Sequence, residues 1–128
     1  MNSVADPTSR AGRMIVAAVV LDVVAVLVFC AVGRRSHAEA ATLAGLAQTA
    51  WPFLAGAAVG WVAARAWRNP IALLPAGVSI WVATVAVGMV LRAVSGQTVA
   101  PSFIVVASIA TAVLLLGWRA VAALLVRR

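Results

Sequence analysis

One carboxylate stands inside a long apolar run. Asp22 sits between Leu21 and Val23, in a stretch from about Met14 to Val32 that has no other charge. An unpaired carboxylate at mid-membrane costs about 2.5–3.5 kcal/mol on insertion scales, so it must be protonated, paired or turned to water. Two arginines can answer it. At a rise of about 1.5 Å per residue, Asp22 lies about 12 Å in from the nearer edge of its run, with Arg65 about 10 Å and Arg119 about 6 Å from the same edge. Ser79, Thr84 and Thr111 are hydrogen-bonding candidates at neighbouring depths. The set admits two readings: a buried ion pair that fixes helix register, or a protonatable or cation-binding group in a transport path.

A second polar group is cationic. Arg34, Arg35 and His37 close the first apolar run, and Arg92 closes the third. They read as a solvated flank that holds lipid phosphates, or as a mouth that attracts anions, with His37 able to change charge near neutral pH. His37 is the single histidine and Cys30 the single cysteine. No metal site, CxxC pair or intramolecular disulfide is expected from them. Cys30 reads as a small buried hydrophobe. HExxH, GxGxxG and P-loop patterns are missing, and a lone intramembrane aspartate makes no acid dyad. The sequence therefore predicts neither an enzyme nor a cofactor.

The elements that must position these groups follow from composition. Of 128 residues, 65% are hydrophobic and 10% charged, whereas soluble domains average about 45–50% apolar and about 25% charged. Mean hydropathy is +1.10 for a mass of 13.1 kDa. A globule that small has too little interior to hide so much apolar surface. A soluble domain is excluded, and a chain embedded in a lipid bilayer is expected. The net charge of +7 would suggest nucleic acid in a soluble protein. Here the arginines punctuate apolar runs instead of sharing one polar face, so no nucleic-acid partner is expected.

Four runs are long enough to cross about 30 Å of hydrocarbon: residues 14–32, 44–64, 71–91 and 99–118. The first imitates a signal peptide. It exceeds the usual apolar core of about 7–15 residues, however, and is read as a retained membrane helix. Lipid forces each backbone to satisfy its own hydrogen bonds, so the expected fold is all-α, a four-helix transmembrane bundle. Arg10, Arg13, Arg65, Arg68, Arg119, Arg127 and Arg128 fall on one side, and Arg34, Arg35 and Arg92 on the other. That bias puts both termini in the cytoplasm, for a multi-pass protein of a prokaryotic cytoplasmic membrane. The arginine-only, Ala- and Val-heavy composition is of the kind GC-rich bacterial genomes encode.

The second and fourth runs echo one another. Gln48-Thr49-Ala50-Trp51-Pro52-Phe53 opens one, Gln97-Thr98-Val99-Ala100-Pro101-Ser102-Phe103 the other, and they lead to Trp67-Arg68 and Trp118-Arg119. Two tandem helical hairpins would produce this echo; so would the generic preference for Pro in a first helical turn and for Trp and Arg at interfaces. Trp51, Trp67 and Trp118 are accordingly read as interfacial, and the deeper Trp61 and Trp81 as packing residues or a substrate box. Gly56 and Gly60, extended by Ala64, form a small-residue stripe that lets helices approach closely. It serves packing within the bundle or a homodimer seam.

In order, these features resemble an uncharacterised prokaryotic membrane family, domain of unknown function 3054. The resemblance rests on Asp22, Gly33-Arg34-Arg35-Ser36-His37, Pro52-Phe53, Pro75-Ala76-Gly77-Val78, Thr84, Arg92 and Gly117-Trp118-Arg119, and spans about residues 14 to 120. It implies a four-helix membrane protein and singles out Asp22, Arg34, His37, Thr84, Arg92 and Arg119; it supplies no activity. In layout the chain also resembles small multidrug-resistance exporters, which have an acidic residue midway along the first of four helices. The leading expectation is a small proton- or ion-linked transporter built on Asp22, its solute or ion unnamed. The alternative is a scaffold or accessory subunit that binds partner helices.

Overall fold

The computed structural model describes residues 9–36 and 43–127, with only the backbone described at 34–36 and 127. Four helices run α1 (Arg10–Ser36), α2 (Leu43–Ala63), α3 (Val78–Val94) and α4 (Pro101–Arg127). Among the described residues, three stretches are long and apolar enough to cross a membrane: Arg10–Gly33, Leu73–Val94 and Pro101–Val126. α2 is comparable in length at 21 residues but includes Gln48, Thr49, Pro52, two tryptophans and several glycines.

Side-chain pairings set the order of helices. Asp22 meets Trp61 and Arg119, while Phe29 meets Phe53 and Phe103. α2 and α4 therefore both run opposite to α1. α3 runs opposite to α2, since Gly60 faces Ile80, Gly56 faces Thr84 and Gly88 faces Phe53. The start of α1, the end of α4 and the α2–α3 connection thus share one end of the bundle, called here the terminal end. The α3–α4 turn lies at the opposite end.

The α2–α3 seam is where the small-residue stripe is spent. A Cβ on Gly56 would lie 2.7 Å from the Ala83 carbonyl oxygen, and one on Gly60 would lie 2.6 Å from Ile80 Cα. Backbone meets backbone there, as small residues permit. These two glycines are filled by α3 of the same chain, so they do not form a homodimer seam. Ala64 falls one residue beyond α2 and is half-buried.

Three local features differ from the sequence reading. The third run is not one regular helix from Ile71: a wide turn over Leu73–Gly77 precedes α3, with Leu74 extended at φ −124° and ψ 135°. The cause is Pro75, which disfavours helical geometry in the residue before it. α4 does not stop near Trp118 but continues to Arg127, because Arg119 is buried and paired rather than exposed at an interface. Pro101 does open α4, but Pro52 sits inside α2, not in its first turn. Pro52 has no N–H to donate to the carbonyl four residues earlier, that of Gln48. The Gln97 side-chain amide donates to that oxygen instead, at 3.2 Å.

The apolar interior has two parts. Toward the opposite end, Val26, Phe29, Cys30, Ala50, Phe53, Met89 and Ala107 pack together. Within it, Phe29 and Phe53 meet edge to face at 5.5 Å, and Phe103 lies 6.2 Å from each. Toward the terminal end, Ala25, Ala57, Ala66, Ala76, Ile80 and Leu115 form a second cluster beneath the polar site.

Candidate functional site

Asp22 is 2% exposed and Arg119 is fully buried. The guanidinium meets the carboxylate as a two-pronged fork: Arg119 Nη1 donates to Oδ1 and Nη2 to Oδ2, both at 2.8 Å. Two indoles complete the shell. Trp61 Nε1 donates to Oδ2 at 2.8 Å, and Trp118 Nε1 to Oδ1 at 2.9 Å. Each carboxylate oxygen thus accepts two hydrogen bonds, which fills the roughly four acceptor positions a carboxylate offers.

The arginine is equally occupied. Its Nε donates to the Pro70 carbonyl at 2.9 Å, and Nη1 donates also to the Leu115 carbonyl at 3.1 Å. All but one of the guanidinium N–H groups are thereby aimed at oxygens. The cation also lies 4.4 Å from the Trp118 ring centroid, an attraction that strengthens where water is excluded. Gly77 makes room for this side chain, since a Cβ there would lie 2.9 Å from Arg119 Cδ. The site therefore ties α1, α2, α4 and the α2–α3 connection to one carboxylate.

Of the two arginines proposed for Asp22, the structure selects Arg119. Arg65 is exposed and adopts left-handed backbone angles, φ 51° and ψ 51°, just past the end of α2, a common way for a helix to terminate. Thr84 and Thr111 are buried but do not join the site. Each hydroxyl donates to a carbonyl of its own helix, Ile80 and Ala107 respectively, at 2.6 Å. Ser79 is half-buried against Gly60 on the α2–α3 seam.

The tryptophans carry what sequence reasoning missed. Trp118 does not serve as an interfacial anchor alone, and Trp61 is neither plain packing nor a substrate box; both hold Asp22. The available signal was donor arithmetic, because an Arg fork answers only half of a buried carboxylate, and indole N–H is an uncharged donor at low cost in lipid. Trp81 donates to the Ser108 carbonyl at 2.9 Å, joining α3 to α4.

At the opposite end, Arg92 Nη1 donates to Gln97 Oε1 at 2.9 Å and Nη2 to the Thr98 carbonyl at 2.8 Å. Its guanidinium lies 4.7 Å from the Phe103 ring centroid. Arg34 and Arg35 belong to the last turn of α1, but their side chains, like His37 as a whole, lie outside the described residues. Among the described residues, no group of three His, Cys, Asp or Glu gathers in one place.

The ordered set from Asp22 through Arg119 falls within a match, over residues 19–122, to a family described as a protein of unknown function, DUF3054. The chain belongs to that family. No curated protein and no solved structure matches it. The DUF3054 match takes in Asp22, Trp61, Pro70, Gly77, Trp118 and Arg119, so every residue of the buried pair and its shell lies inside the family's span.

Proposed function

We propose that this member of DUF3054 works in the membrane as a fixed helical scaffold that partners bind, rather than as a proton- or ion-linked carrier. A carrier needs Asp22 to exchange a proton or cation along a polar route. One observation carries the scaffold reading: both Asp22 oxygens are already committed to four donors within the chain. The route in the direction of Arg92 supports it too. Phe29, about 10 Å further along α1 than Asp22, packs with Phe53 and Phe103 across that way. The ion pair then holds four segments in register, a role for which buried polar groups are well suited.

Proteoliposomes under imposed proton and cation gradients test this reading. Wild-type protein is expected to pass no more than empty vesicles, and the double variant Asp22→Asn/Arg119→Gln, which removes both charges together, is expected to behave identically. Flux in the wild type that disappears in the double variant, with helix content and monodispersity retained, would overturn the scaffold reading in favour of transport.

A further inference from the structure

The Asp22–Arg119 pair joins α1 to α4 in the half of the bundle nearer the terminal end. Toward the opposite end these two helices, with Gln48 and Thr49 of α2, line a cleft of 1030 Å³, at the upper end of the range for pockets that take small molecules (about 300–1,000 Å³). Its long walls are apolar: Val28 and Val32 on α1, Val106 and Val113 on α4. Its polar lining gathers at one end, where Arg92, Gln97 and Ser102 meet the α3–α4 turn. Among the described residues that line it are a guanidinium and no carboxylate.

Length identifies the occupant. From Ser102 to Val113 the groove extends about 16 Å along α4, which is about one leaflet of a hydrocarbon core roughly 30 Å thick. An acyl chain needs one leaflet of this length. Beyond Trp118 a smaller apolar pocket of 470 Å³, lined by Met14, Leu21, Val121 and Leu125, follows on the same α1–α4 face. Charge identifies the head. Arg92 lines the cleft at the level where the helices end, and α4 starts at Pro101 beside it, adding the positive end of its dipole.

We propose that the cleft between α1 and α4 binds one anionic glycerophospholipid, its acyl chain along Val106 and Val113 and its phosphate at Arg92 and Ser102. The site is separate from the Asp22 pair and stands whether or not the protein is a scaffold.

Native mass spectrometry of the full chain in detergent tests this, with phosphatidylglycerol, phosphatidylcholine of the same chains, and tail-free glycerol phosphate as probes. One phosphatidylglycerol per chain is expected, with about fivefold preference over phosphatidylcholine, the increment of one arginine near an anionic headgroup. Val106→Trp fills the apolar lane and is expected to abolish retention, while Val90→Trp on exposed α3 surface leaves it intact. Arg92→Gln is expected to equalise the two lipids. Equal retention of both lipids by the wild type, indifference to Val106→Trp, or competition by glycerol phosphate as strong as by the lipid would each overturn the proposal. So would displacement of the lipid by a second copy of the chain.

Discussion

Arg119 and Arg92 each end an apolar run, each sit beside an aromatic ring and each use Nη1 and Nη2 as donors. They nonetheless have different jobs. Arg119 is fully buried, against a carboxylate that two indoles also hold. Arg92 is half-buried at a chain turn, and its Nη bonds go to a side-chain amide and a backbone carbonyl. The difference teaches that the charge of an arginine says little until the acceptor is known. A carboxylate draws the guanidinium into the bundle interior; neutral acceptors leave it at the rim of an open cleft.

Breaking the buried pair should have the largest effect. Asp22→Ala leaves the Arg119 cation buried without its counter-charge and is expected to destabilise the protein by about 3–5 kcal/mol. Unfolding in mixed micelles, followed by tryptophan fluorescence, measures it. Arg119→Ala should cost a similar amount. The double variant should cost much less than the sum, which a double-mutant cycle reads as strong coupling. A milder break is Trp61→Phe, which removes a hydrogen bond to a charged group and should cost about 1.5–3 kcal/mol in the same assay.

Gly77→Ala sharpens the comparison without touching a charge. Its Cβ would press on Arg119 Cδ at 2.9 Å, and overpacking of this kind costs about 1–3 kcal/mol. At the opposite end, Gln97→Ala removes the donor to the Gln48 carbonyl and the acceptor from Arg92. It should cost about 0.5–1.5 kcal/mol and should speed amide exchange in the α3–α4 turn. Smallest is Arg65→Ala: the side chain is exposed, and surface changes usually stay within about 0.5 kcal/mol. An Arg65→Ala loss as large as that of Arg119→Ala would overturn the assignment of Asp22's partner.

The echo between the second and fourth runs does not extend to the surroundings of the echoed residues. Trp67-Arg68 and Trp118-Arg119 look alike in sequence, but Trp67 and Arg68 are exposed in a short turn, whereas Arg119 is buried within α4. The two prolines diverge likewise, Pro101 opening a helix and Pro52 lying within one. Identical local signals receive different surroundings because what decides is the neighbouring helix, which no local pattern encodes.

Composition and run length determined that this chain is helical and suited to lipid, because hydrocarbon tolerates only backbones that bond internally. The same reading placed Asp22 at a depth where it must find a partner. Depth along a helix, however, is only one coordinate. Which face of α4 turns toward α1, and hence that Arg119 and the two indoles reach Asp22 while Arg65 turns to the outside, depends on rotation about each axis and on the close α2–α3 seam. Packing across the whole bundle sets those angles, so only the tertiary structure could decide them.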